Sequence, residues 1–276
     1  MLQKSDAILT PRESYPLDEP GQRIRKHILE IAYSSGHGHV PTCFSVIECI
    51  RAVYTIMRHD PTNPKCSERD IFILSKGHAA LGYYGVLAEF GYFDIDEVRR
   101  FGNYGCSFGC HADRHKVPGA EASTGSLGHG IGIASGMALG AKISGSDQRV
   151  FTLIGDGEAN EGSVWEAIMV AVSQELDNFT IIYDDNRSQG RCLTIPNPAE
   201  RLHAFGCEVS VVPGHDIDAL SGVLAKKPGK VHAVVAETQK GYGCRTLVDN
   251  MYEWHRKSPD EAMLEKLIGE LNAWPV

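Results

Sequence analysis

From residue 150 onward the chain alternates between two kinds of segment. Short runs rich in Val, Ile, Phe and Thr, "RVFTLI", "FTIIYD", "CEVSVV" and "VHAVVAET", are separated by stretches of helical spacing, "EGSVWEAIMVAVSQ", "AERLHAF" and "DIDALSGVLAK". Strands that alternate with helices build a parallel sheet, because each crossover returns the chain to the same end of the sheet. The predicted fold class is therefore α/β, a parallel sheet flanked by helices on both faces. A last amphipathic helix, "SPDEAMLEKLIGELNAW", opens on Ser258-Pro259-Asp260-Glu261, read as a capping-box start.

The first half is more helical. "GQRIRKHILEIAYSS" sets Ile24, Ile28 and Ile31 at helical spacing and should stop near Gly36. "FSVIECIRAVYTIM" reads as a second helix, with Ser45 or Thr42 as capping candidates. "DIFILSKGHAALGYYGVLAEFGY" begins as a strand, turns at Lys76-Gly77 and continues as a helix. "GSLGHGIGIASGMALGAKI" is a helix dense in small residues, which suits close packing in the core and, less commonly, a subunit interface. Residues 1–20, with three prolines, read as an N-terminal arm, and 21–276 as one domain.

Bulk composition excludes several functions. The 276 residues carry a formal net charge of −8 and no Lys/Arg run, which argues against a nucleic-acid surface. No apolar stretch is long enough for a membrane span or an export signal, so a cytoplasmic chain is expected. Eight scattered cysteines are too sparse for a disulfide scaffold and read as reduced thiols.

"FTLIGDGEANEGSVWEA" sets a lone carboxylate, Asp156, between two glycines at the tip of a strand, and Asn186 in "IIYDDNRSQG" follows the next strand, 30 residues later. A helix of about 13 residues runs back roughly 20 Å, and a strand of about six returns roughly the same distance. Both tips then meet outside the carboxyl edge of the sheet, where open α/β folds bind ligands. A carboxylate, an amide oxygen and a backbone carbonyl suit a hard cation such as Mg²⁺. Gly157 would let a phosphate approach the backbone, and the helix starting near Asn160 would aim free N–H groups at it. Either tripeptide alone is an ordinary turn; the pairing at this spacing is what points to a site.

Gly-Asp-Gly followed by "YDDN" resembles the signature of thiamine-diphosphate enzymes. "SSGHGHVPTCFS", "LSKGHAALGYYGVLAEFGY", "CHADRHKVPGAEASTGSLGHGIGIASGMALG" and "WHRKSPDE" are similar, in order, to the histidine segments of transketolases. The resemblance covers roughly residues 20–276 and implies thiamine diphosphate and Mg²⁺ as cofactors. Carried over by motif, His37, His78, His111 and His255 would line the cavity around the reacting carbon and move protons on sugar hydroxyls. His78, His255, Gly125, Ser126, Leu127, Gly157 and Glu161 would contact the cofactor or lie near it, Glu161 toward the subunit interface. Asp156, Asn186 and the Ser188 carbonyl would bind the metal.

The chain also departs from the family. Gly36-His37-Gly38-His39 stands where Gly-His-Pro-Gly is usual, His129 is an added histidine, and Ser188 replaces a residue that is often apolar. A transketolase continues into a pyrimidine-binding and a C-terminal domain. The resemblance thus implies the N-terminal subunit of a split transketolase, whose partner would be a C-terminal transketolase subunit, joined in an α2β2 assembly. It would transfer a two-carbon ketol unit from a ketose or ketose phosphate to an aldose. A 1-deoxyxylulose-5-phosphate synthase-like enzyme and the α subunit of a 2-oxoacid dehydrogenase are the rivals within the class. A zinc module on Cys106, Cys110, His111 and His115 is the rival outside it, although adjacent Cys110 and His111 would crowd one metal. His27, His59, His203, His215 and His232 read as structural.

Overall fold

The computed structural model describes residues 14–191 and 193–275. In chain order the elements are α1 (Glu19–Ser35), α2 (Val40–Ile56), β1 (Ile71–Leu74), α3 (Ala80–Glu89), α4 (Ile95–Val98), α5 (His129–Ile143), β2 (Val150–Gly155), α6 (Gly162–Ser173), β3 (Phe179–Asp184), α7 (Pro198–Ala204), β4 (Glu208–Pro213), α8 (Ile217–Leu224), β5 (His232–Glu237), α9 (Arg245–Asp249) and α10 (Glu261–Asn272). The five strands form one sheet in the order β1-β2-β3-β5-β4, and every pairing is parallel. The predicted α/β class holds, and the strands fall within a residue or two of their expected bounds.

Period-two alternation along the strands divides the core. Phe72, Leu74, Phe151, Leu153, Ile182 and Val234 point to one face, under α1, α2, α3, α8 and α10. Ile71, Ile73, Val150, Ile154, Ile181 and Val235 point to the other, under α5, α6 and α7. Burying each such side chain is worth about 1.5–3 kcal/mol. Two-sided burial is why these strands read as unbroken apolar runs.

Several sequence expectations need correction. The second helix begins four residues earlier than expected, at Val40, because Pro41 suits its first turn. Neither Ser45 nor Thr42 caps it; both lie inside the helix, and the Ser45 hydroxyl donates to the Thr42 carbonyl at 2.9 Å. The small-residue helix starts at His129, so 125–128 are loop. The last helix is capped by Asp260, which accepts from Met263 N at 2.9 Å, not by a box on Ser258. No helix starts at Asn160: a 3₁₀ turn, Glu158–Asn160, precedes α6, whose cap is Glu161. Most of the arm lies outside the described residues. Its end feeds α1, capped by Asp18, and α1 stops at Gly36 in the left-handed conformation.

On α5 only part of the glycine content serves the core. A Cβ on Gly130 would strike Ser75 Cα at 2.5 Å, whereas Gly132, Gly136 and Gly140 face open space. Beside them Ile133 and Ile143 on α5, and Met169 and Val170 on α6, are exposed. No helix among the described residues is long and apolar enough to cross a membrane.

Candidate active site

Four strand tips meet at the carboxyl edge of the sheet. β2 ends in Gly155 opposite Asp184 of β3, so Asp156 and Asn186 follow neighbouring strands on the same edge. Lys76 and His78 follow β1, and Lys240 follows β5. A cavity of about 320 Å³ opens between them and is lined by Asp156, Gly157, Asn186, Ser188, Lys76 and Lys240, with four histidines on its walls. Larger grooves of about 460 and 560 Å³ contain neither Asp156, Asn186 nor those histidines.

The buried Asp184 carboxylate organises this edge. It accepts hydrogen bonds from the Lys76 ammonium, the Thr238 hydroxyl, Ser45 Oγ at 3.0 Å and Asn186 Nδ2 at 2.8 Å. Burial pushes the Asp184 carboxyl up, but the Lys76 charge and these bonds outweigh it and hold it below its ordinary value. A carboxylate only accepts, so the Asn186 amide must turn its NH₂ inward and Oδ1 the other way. That oxygen accepts from Ser188 N at 3.0 Å. Asp156, 2 % exposed, accepts from Gly157 N and Ser188 Oγ on Oδ1 and from Gln189 N on Oδ2. Burial, with the neighbouring Asp184 charge, raises its carboxyl. Glu158 ties the surrounding loops, accepting from Ser75 Oγ, Gly128 N and Gly155 N.

The cavity is cationic where an anion would enter. Lys240 has no carboxylate within ion-pairing distance among the described residues; its Nζ donates to His255 Nδ1 at 3.0 Å. Burial, reinforced by the Lys76 charge, pushes the Lys240 ammonium down to about 8. Burial and then its cationic neighbours push His255 to about 4, His39 to about 4 and His78 to about 2. All three imidazoles are neutral at pH 7.

Of the expected residues, His78, His111, His255, Gly125, Leu127, Asp156, Gly157, Asn186 and Ser188 line the cavity. His37, Ser126 and Glu161 do not. His37 sits outside, with Nδ1 3.4 Å from Cys110 Sγ and its ring 5.1 Å from Phe101. Gly102, at φ 74°, makes room for it: a Cβ there would lie 2.2 Å from the ring. The cavity histidine from that segment is His39, whose ring is 5.3 Å from both His78 and His255. Glu161 is exposed and packs against Gly128. His129 is exposed, facing the Leu127 carbonyl.

Lys76, Lys240, Thr42, Glu158 and Asp184 join the site without having stood out in the sequence. Lys76 and Lys240 carried a usable signal, since both stand just past a strand on the edge already assigned to the ligand. The structural histidines include His215, which stacks on Tyr242 at 3.5 Å, accepts from Gln239 N and faces Glu48. Trp165 donates through Nε1 to the Ala159 carbonyl at 2.8 Å, in the loop that follows Gly157.

The donor set fits a diphosphate held through a hard cation. Two oxygens of the right type converge, unpaired positive charge faces them, and Gly157 leaves open space where a Cβ would stand. The Thr42 hydroxyl, on the cavity wall, is buried without a hydrogen-bond partner among the described residues, as a group awaiting a polar ligand would be. Among the described residues no three His, Cys, Asp or Glu side chains are grouped to hold a metal, which removes the zinc module; the Cys110 thiol is spent on His37.

A parallel sheet with an anion-receiving cleft at its carboxyl edge defines the class: an α/β cofactor-binding domain. The chain belongs to the transketolase family, and residues 22–255 match the transketolase thiamine diphosphate-binding domain. It is 38 % identical over 264 residues to one of the subunits of the apulose-4-phosphate transketolase of Actinobacillus succinogenes, covering 92 % of this chain and 95 % of that one. It is 36 % identical over 258 residues to a 6-deoxy-6-sulfo-D-fructose transketolase subunit of Clostridium sp. strain MSTE9, covering 90 % and 93 %. Human transketolase is 34 % identical over 270 residues, and the chain spans 42 % of its length. The crystal structure of Campylobacter jejuni transketolase superposes with a TM-score of 0.85 at 26 % identity, covering 92 % of this chain and 42 % of that one. The chain is thus the thiamine diphosphate-binding subunit of a transketolase-type transferase.

Proposed function

We propose that this chain grips the diphosphate end of the cofactor through Mg²⁺ and works only with a C-terminal transketolase subunit, in an α2β2 assembly. The carrying observation is the convergence of Asp156 and Asn186 on neighbouring strand tips, with Ser188 bonded to both. When bound, thiamine diphosphate would supply the carbanion chemistry that ketol transfer from a ketose to an aldose requires. Asp156, Asn186 and the Ser188 carbonyl hold the cation. Lys240 and Lys76 neutralise phosphate charge, and Gly157 admits the phosphate to the backbone. His39, His78 and His255, neutral at pH 7, hydrogen-bond the sugar hydroxyls and hold them in place for the reaction. His111, against Gly125, closes the wall on the sugar side. The loop of Gly125, Ser126 and Leu127 contacts the cofactor ring through its backbone, and Glu161 faces the second copy.

The partner supplies the pyrimidine-binding and C-terminal domains, and the outward face of α5 and α6 joins two copies of this chain. The substrates we propose are ketoses and aldoses carrying an anionic end group, because the named relatives act on a phosphorylated and a sulfonated sugar. A cytoplasmic site of action fits the seven free cysteines among the described residues. Co-expression with the neighbouring reading frame, followed by a ketose-donor assay, tests the proposal. Ketol transfer should need both chains; turnover by this chain alone would overturn it, and acceptance of pyruvate or a branched 2-oxoacid instead would reassign it.

A further inference from the structure

One residue reaches both prospective cation ligands. The backbone N–H of Ser188 donates to Asn186 Oδ1 at 3.0 Å, and its hydroxyl donates to Asp156 Oδ1 at 3.0 Å. That same carboxylate oxygen accepts from Gly157 N at 2.7 Å, while Oδ2 accepts from Gln189 N at 3.1 Å. Asp156 Oδ1 therefore has two donors for its two in-plane lone pairs, on a side chain almost wholly out of water. A cation entering at Oδ1 needs one of those lone pairs. The Gly157 N–H is fixed by the chain as it leaves β2. The Ser188 hydroxyl is fixed only by rotation about one side-chain bond, so it is the donor that can yield.

We propose that Ser188 lowers the cation affinity of this subunit because its hydroxyl competes with the metal for Asp156 Oδ1. The inference rests on reading Asp156 and Asn186 as the cation ligands. A hydroxyl bonded to the carboxylate stabilises the cation-free form alone, and that bond must break when the metal enters. Removing the hydroxyl removes the cost and leaves the carboxylate, the amide and the backbone carbonyl in place. A net hydrogen bond of ordinary strength corresponds to roughly a tenfold change in a binding constant. The consequence is a subunit that loads its cofactor only above a set level of divalent cation.

The test is Mn²⁺ binding to the full chain at saturating thiamine diphosphate, with free Mn²⁺ followed by electron paramagnetic resonance. Four proteins are compared: unsubstituted, Asp156→Ala, Ser188→Ala and Ser188→Thr. Ser188→Ala should bind Mn²⁺ roughly tenfold more tightly, and Ser188→Thr, which keeps a hydroxyl, should match the unsubstituted chain. Unchanged or weaker binding by Ser188→Ala, with Asp156→Ala still losing the site, overturns the inference and leaves the site reading intact. Undiminished Mn²⁺ binding by Asp156→Ala, or none by any of the four, removes the site reading and the inference with it.

Discussion

At the scale of single residues, the segment "SSGHGHV" contains Gly-His twice, at Gly36-His37 and at Gly38-His39. Spacing cannot choose between two registers that differ by two residues. Helix geometry can: α1 ends at Gly36 and α2 starts at Val40, which leaves His39 beside the cavity and His37 turned toward Cys110. With the partner present, His39→Ala should lower kcat/KM for ketol transfer by about 10²-fold or more, while His37→Ala should stay within a few-fold; steady-state kinetics on the two variants decides. Lys240 gives a pH signature. Its ammonium titrates near 8 in the folded chain and at 10.5 ordinarily, so the unfolded chain holds more protons between those values. Stability of the ligand-free chain should rise with pH across that window. Diphosphate binding needs the charged form, so affinity should fall as pH rises through 8. Calorimetric titration from pH 7 to 9.5 should show that decline in the unsubstituted chain and not in Lys240→Met.

Among elements, the strands were the most legible part of the chain. β1, β2, β3 and β5 are short and buried on both faces, and no competing pattern fits a four- to six-residue apolar run between helices; β4, at the sheet edge, is only partly buried. Helix starts were harder to place. Caps at His39 and Gly128 use no side-chain hydrogen bond, so only Pro41 marks the first start and no capping side chain marks the second. The pair Asp156 and Asn186, proposed above as the cation ligands, was readable because both follow closely on strand ends. Asp184 was not, since its role depends on Ser45, Lys76 and Thr238, which lie far apart in sequence. The direction of the small-residue stripe on α5 was also open until the packing was known. Gly136→Arg places a long cation on its outward side, where nothing in the chain is displaced. It should leave the melting temperature within a few degrees and shift the chain from dimer to monomer in sedimentation velocity; an unchanged dimer would move the interface elsewhere.

For the whole molecule, one buried ionic cluster holds the helical layer to the C-terminal segment. Arg25 meets Glu48 at 2.7 and 2.9 Å, donates to the carbonyls of Phe44 and Tyr242, and Glu48 also faces His215 at 2.9 Å. Arg25→Ala strands Glu48 in the core and should cost about 3–5 kcal/mol in urea unfolding. Burial alone would raise the Glu48 carboxyl, but the Arg25 charge and the His215 bond hold it well below its ordinary 4.5. This contribution is complete above that value and is lost as pH falls below it, so the chain should weaken in acid below about pH 4.5, and Arg25→Ala should flatten that slope.

The indole of Trp165, on α6, donates to the Ala159 carbonyl, one short turn past Gly157, and Trp254 immediately precedes His255, which lines the cavity. Two of the three tryptophans in the chain are therefore tied to segments that carry cavity residues, one by a hydrogen bond and one as a chain neighbour. The molecule carries its own optical gauge: ultraviolet emission should report cofactor capture directly, without a label and before any partner is added.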